Sequence, residues 1–259
     1  MGENPFEGIK GFFFDLDGVL VQNGETITGA VETLNILRDK EIPFRILTNR
    51  TTRSRESLYK YLCERNFSVQ KTEIFSAPQA AVHFLRHQEN PKCCLVMRED
   101  AKRDFSEFIQ TDKDPDFVIM GDIAESWNFP ILNSIFNKLM KGARLVALHK
   151  GRFWKEQGEL HMDIGVFVTG LEYITGKEAL VMGKPSPDFF MMALEDINLA
   201  SCEVAMLGDD IVSDIGGAQE IGIKGVLCLS GKYSREHDHH YDIKPDITLP
   251  SIAEIKNYI

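Results

Sequence analysis

The chain has 259 residues, 43% of them hydrophobic and 26% charged, with a net charge of −10. That composition fits one large α/β domain, or a core with a smaller companion, and excludes a disordered or low-complexity chain. No apolar run approaches the ~20 residues of a bilayer span, so no membrane partner is expected. An acidic chain without a dense basic run also argues against nucleic acid.

The N-terminal MGENPFEGIK lacks a signal-peptide apolar region and departs from the myristoylation pattern at Phe6. Five cysteines without a C-x-x-C pair argue for reduced thiols, so a cytoplasmic protein is expected. The global field would repel an anionic substrate, so local cations must attract it.

Short apolar runs alternate with helical patterns. GIKGFFF predicts a strand ending near Phe14, and apolar spacing at Val31, Leu34 and Leu37 predicts a helix over 28–40. PFRILT (43–48) is the next strand and 54–65 the next helix, with Ser54 as its cap. CCLVM (93–97), DFVIM (116–120) and RLVAL (144–148) follow as strands, with helices near 78–88, 99–109 and 128–141. A last block holds a helix after Ser186 and Pro187, a strand at EVAML (203–207), a helix at 211–221 and a strand at KGVLCL (224–229). This order predicts a parallel, doubly wound α/β sheet with right-handed crossovers. REHDHHYD (235–242) reads as a solvated loop, because its histidine spacing matches no metal-ligand pattern.

Four strand ends carry chemistry. FFFDLDG places Asp15 and Asp17 two residues apart at a buried strand's exit, where repulsion and lost hydration need an offset such as Mg²⁺. An EF-hand is excluded by Val19 and Leu20. ILTNRTTR ends a strand with Thr48 and Asn49, whose hydroxyl and backbone N–H groups suit a phosphate oxygen. VMGKPSPDFF fixes Lys184 between glycine and proline, and VAMLGDDIVSDIGGAQ groups Asp209, Asp210 and Asp214 at a strand end. Neither a G-x-G-x-x-G fingerprint nor a phosphate loop occurs: Glu178 stands where the latter needs Ser or Thr.

Together and in this order, the four motifs resemble those of the haloacid dehalogenase (HAD) superfamily, most of whose members are Mg²⁺-dependent phosphatases. The segments GDIAESWNF, HKGRFW and GVFVTGLEYITGKEA are similar to the cap of its NagD-like, C2-capped branch (subclass IIA). GKPSPDFF, GDDIVSDIGGAQ and SGKY are similar to the phospholysine phosphohistidine inorganic pyrophosphate phosphatase group. The resemblance implies a Rossmann-like core at 1–76 and 183–259, with an inserted α/β C2-type cap at 77–182. It implies Asp15 as nucleophile forming an aspartyl-phosphate, Asp17 as general acid/base, and Thr48 and Lys184 as the pair binding the transferring phosphoryl group. Gly18 and Asn49 are implied as further substrate-binding residues. Mg²⁺ would lie on Asp15, the Asp17 main-chain carbonyl and Asp209, with Asp214 behind them, while Asp210 is given only the helix start.

Some proteins of that group carry Ser where this chain has Asp17. An acid here favours a small-molecule phosphate monoester over a phosphoramide or pyrophosphate, since an alkoxide leaving group benefits from protonation. A phosphotransferase and a non-catalytic phosphate-binding protein are the remaining alternatives. Lys150 and Arg152, near His149, are the cap cations that could meet an anionic substrate, but a solvated loop is the favoured reading for them. A homodimer through the cap is expected from the resemblance alone.

Overall fold

The computed structural model describes residues 4–156, 159–231 and 242–259. The histidines of the 235–242 stretch lie outside them. The chain divides into two compact units: Met1–Thr48, Leu58–Phe75 and Lys184–Ile259 form one, and Asn49–Ser57 with Ser76–Gly183 the other.

The first unit carries a six-stranded sheet in the order Ile247–Leu249, Lys224–Cys228, Val204–Gly208, Gly11–Asp15, Phe44–Thr48, Ile74–Ser76. The strand Gly11–Asp15 is buried at every residue and pairs in parallel with a neighbour on each side, Phe14 opposite Leu207 and Asp15 opposite Leu47. A strand covered on both faces needs a continuous apolar run rather than alternation, which Phe12, Phe13 and Phe14 supply. Burying each such ring contributes roughly 1.5–3 kcal/mol. The helix Ala30–Asp39 turns Leu34 and Leu37 into the same core. Strand order reverses at Gly11–Asp15, which puts the crevice of a doubly wound sheet at its carboxyl end.

The second unit has its own parallel sheet, ordered Leu180–Val181, Arg144–Ala147, Phe117–Met120, Lys92–Val96, Ile109–Gln110. The helices Phe129–Met140 and Gly165–Thr175 cover one face through Ile135, Leu139, Val168 and Leu171. A hairpin, Phe153–Glu156 with Glu159–Met162, stacks Trp154 on His161 at 4.6 Å between ring centroids. The fold is thus a Rossmann-like core with a cap. Among the described residues, no helix is long and apolar enough to cross a membrane.

Several elements differ from their sequence-based expectation. The helix expected over 99–109 stops as α-helix at Lys102 and continues as 3₁₀-helix only to Phe105, before a strand at Ile109–Gln110. The helix expected over 211–221 is a π-helix at Ile211–Gly216, then α-helix at Gly217–Glu220. Ser186 occupies the cap position before Pro187–Ile197 but its side chain makes no capping hydrogen bond, while the Ser54 hydroxyl does accept the Ser57 N–H at 3.2 Å.

Candidate active site

Three adjacent parallel strands deliver the motif residues to one edge of the first sheet. Asp15 and Thr48 are the last residues of Gly11–Asp15 and Phe44–Thr48, and Asp209 follows Val204–Gly208 directly. All three are buried, as are Lys184 and Asp214. The strand ends at Asp15, so its alternation does not continue to Asp17. Leu16 lies at a bend, its carbonyl accepts the Leu20 and Val21 N–H groups, and Gly18 N–H donates to Val21. This tight turn leaves Asp15 buried and Asp17 exposed.

Lys184 is the hub of the charges. Its Nζ lies 2.6 Å from Asp15 Oδ1 and 2.7 Å from Asp214 Oδ1, and donates to the Leu47 carbonyl at 3.3 Å. Burial pushes the Asp15 carboxyl up to about 7 against the pull of Lys184, with Asp214 and Asp17 adding to the rise. Burial pulls the Lys184 ammonium down, but Asp15 and Asp214 outweigh it and hold its pKa above the ordinary value. On the neighbouring strand, burial with nearby Asp209 pushes the Cys228 thiol up, so it stays neutral and adds no charge.

Asp15, Asp209 and Asp214 each offer a carboxylate oxygen within 4.8 Å of the others. Their chemistry fits a hard divalent cation: all are oxygen donors, and the three buried carboxylates stand beside one buried ammonium, that of Lys184. Asp214 is engaged through both of its oxygens. Its Oδ2 accepts the Asp209 and Asp210 N–H groups at 3.1 Å each, and its Oδ1 faces Lys184. Asp15 and Asp209 would face such a cation, with Asp214 holding the backbone and the lysine behind them. Asp210 caps the helix start, its Oδ1 accepting the Val212 and Ser213 N–H groups at 2.9 Å.

Two glycines hold Asp209 in place. A Cβ on Gly18 would lie 2.1 Å from Asp209 Oδ2, and one on Gly231 would lie 2.3 Å from it, at φ of +91° and +93°. Gly231 is absent from the sequence-based site. It lies just past the strand Lys224–Cys228, in the SGKY stretch that carries part of the family resemblance, but nothing there names it as a site residue. Gly231→Ala is expected to cost about 2 kcal/mol through the strained φ and the displaced carboxylate. Thermal midpoint and catalytic rate should fall together; a rate unchanged beside a lowered midpoint would separate Gly231 from the site.

The remaining residues lie in the second unit. Asn49 packs there against Gly183, Lys150 pairs with Glu172 at 2.6 Å, and Arg152 lies over the Phe153 ring at 5.8 Å. His149 is buried, and its Nδ1 accepts the Gly151 N–H at 3.2 Å.

Comparison with known proteins follows the same division of motifs. Residues 12–108 match the family model "Haloacid dehalogenase-like hydrolase", and residues 181–255 match a HAD-hydrolase-like model. Human phospholysine phosphohistidine inorganic pyrophosphate phosphatase is 35% identical over 254 residues, covering 95% of this chain and 93% of its own length. Human haloacid dehalogenase-like hydrolase domain-containing protein 2 is 36% identical over 252 residues, covering 97% and 96%. Among solved structures, p-nitrophenyl phosphatase from Archaeoglobus fulgidus is similar with a TM-score of 0.90 at 25% identity, covering 97% of this chain and 99% of that one. NagD from E. coli K-12 gives a TM-score of 0.85 at 29% identity, covering 95% and 98%.

Proposed function

This chain belongs to the haloacid dehalogenase-like hydrolases, in their NagD-like subclass IIA, and from that membership we propose that it is a phosphatase acting on a small-molecule phosphate monoester. The observation that carries the reading is the meeting of buried Asp15, Lys184, Asp209 and Asp214 at the edge where Asp15 and Thr48 end their strands.

The chemistry divides into two steps. An Asp15 carboxylate oxygen attacks phosphorus; the new O–P bond forms as the ester O–P bond breaks, and Asp17 delivers a proton to the departing oxygen. Water then attacks the aspartyl-phosphate, its proton passes to Asp17, and the Asp15 O–P bond breaks to release inorganic phosphate. Two different positions suit two different roles: a buried, oriented nucleophile and an exposed acid that can reach the leaving group and the incoming water. Thr48 and Lys184 hold the oxygens on which charge develops. Mg²⁺ on Asp15, Asp209 and the Asp17 carbonyl would supply positive charge that offsets both the carboxylates and the phosphate. Self-association through the second unit is part of the same reading, and its exposed Phe129, Met162 and Tyr173 offer apolar surface for it. The reading also places the protein in the cytoplasm, where its five free cysteines stay reduced.

Phosphate release from p-nitrophenyl phosphate and a panel of metabolite esters tests this directly. Release is expected with Mg²⁺ and is expected to vanish with a chelator. A folded protein active on no ester, or one indifferent to chelation, would overturn the reading or its metal. The likeness to phospholysine phosphohistidine inorganic pyrophosphate phosphatase favours a second reading, a phosphoramide or pyrophosphate substrate. Ranking those compounds beside the esters separates the two.

A further inference from the structure

Open parallel sheets take their ligands in the crevice outside the carboxyl ends, where strand order reverses. In the second sheet that reversal lies between Lys92–Val96 and Phe117–Met120. The chain's own segment 49–57 fills this crevice. It groups with the second unit although it follows directly on Thr48. Thr51 is 2% exposed, and its Oγ1 accepts the Asp122 N–H at 3.1 Å. A Cβ on Gly121 would lie 3.2 Å from Met97 Cβ and 3.3 Å from Thr51 Cβ, so the segment sits against the ends of both strands. Asn49 is held equally closely, since a Cβ on Gly183 would lie 2.5 Å from its Oδ1.

Two carboxylates close the other end of the segment. Asp100 Oδ2 accepts the Ser54 N–H at 2.9 Å and the Ser54 hydroxyl at 3.3 Å, while its Oδ1 accepts the Ser57 hydroxyl at 2.9 Å. Asp104 accepts the Arg55 N–H through both oxygens, at 3.2 and 3.0 Å. These N–H groups open the helix Arg55–Cys63 and have no partner within it, and a carboxylate is the strongest acceptor a side chain offers them. The segment after Thr48 is therefore tied down at Asn49, at Thr51 and at the helix start.

We propose that the carboxyl edge of the second sheet is a clamp on segment 49–57, with Asp100 as its chief positioning residue, and that its grip sets how tightly Thr48 and Asn49 hold a phosphate group. The proposal rests on the phosphatase reading above. A segment already ordered loses little conformational entropy when phosphate binds, whereas a released one must be ordered at the expense of affinity. Asp100 touches no reacting atom and acts through the Ser54 backbone and the Ser54 and Ser57 hydroxyls.

The test compares wild type with Asp100→Ala and Asp100→Asn in Mg²⁺. It measures inorganic phosphate affinity by calorimetry, KM and kcat on p-nitrophenyl phosphate, and amide exchange over 49–57. Asp100→Ala is expected to weaken phosphate binding and raise KM by about tenfold each, with kcat changed less. Exchange should quicken within 49–57, and Asn, which keeps an acceptor oxygen, should recover most of the loss. Ser57→Ala removes the hydroxyl that donates to Asp100 and accepts from the Ser54 hydroxyl, and serves if Asp100→Ala does not fold; a rise in KM of about threefold is expected. Faster exchange with phosphate affinity and KM unchanged would reduce the clamp to a fold-stabilising contact and overturn the proposal. Wild-type protein that neither hydrolyses an ester nor binds phosphate would overturn the phosphatase reading, and this inference with it.

Discussion

Asp15→Asn is expected to abolish phosphate release by at least about ten-thousandfold while leaving the protein folded. The carboxamide keeps the shape of the side chain and an oxygen for Lys184, but it offers no carboxylate electron pair to phosphorus. Loss of the nucleophile removes the intermediate itself, so the other site residues cannot rescue it. Residual turnover above about 1% of wild type would exclude Asp15 as the nucleophile.

The same variant carries a second, independent signature. The Asp15 carboxyl, ordinarily near 3.8, is pushed up to about 7 by burial and its acidic neighbours. Between about pH 4 and 7 the folded protein without metal holds a proton that the unfolded chain has released. The Asp15 contribution to stability must therefore fall as pH rises through that window, and its whole loss is present above about pH 7. Asparagine has no proton to lose. In chelator, the thermal midpoint of Asp15→Asn should decline less from pH 4 to 7 than that of wild type. Parallel declines would show that Asp15 is ionised at little cost, and would remove the charge argument for a cation.

Where the sequence was legible, one physical rule did most of the work. A strand covered on both faces reads as an unbroken apolar run, and its polar exit residue then stands out, as in Phe12–Asp15, Ile46–Thr48 and Val204–Asp209. What stayed hidden depends on partners distant along the chain. Asp100 and Asp104 read as the first turns of a helix over 99–109, yet both carboxylates are used on Ser54 and Arg55, and the helix ends early. The paired strands Phe153–Glu156 and Glu159–Met162 carry too many polar residues for a strand pattern, and their Trp154–His161 stack is a cross-strand contact that no local window contains. Gly231 matters because Asp209 and Gly18 arrive beside it, and neither is close in sequence.

Lys184→Met is expected to lower the rate about a thousandfold and to destabilise the protein, a combination that Asp15→Asn should not show. Methionine fills much of the same volume but removes the ammonium that Asp15 and Asp214 share at 2.6 and 2.7 Å. Two buried carboxylates then lack their partner, and breaking such a pair typically costs about 3–5 kcal/mol. Adding Mg²⁺ should recover part of the lost midpoint, because a divalent cation on Asp15 and Asp209 lowers the same repulsion from the other side. It should not recover the rate, since the phosphoryl oxygens still lack their ammonium. Lys184→Arg is expected to fail as well: its planar fork is larger and cannot meet Asp15, Asp214 and the Leu47 carbonyl from one point. The double variant Asp15→Asn/Lys184→Met closes the cycle. If the two act on one transferring phosphoryl group, the double variant should be about as inactive as Asp15→Asn alone, and it should be more stable than Lys184→Met because one unpaired carboxylate is gone. Losses that multiply would instead assign Lys184 and Asp15 to separate steps.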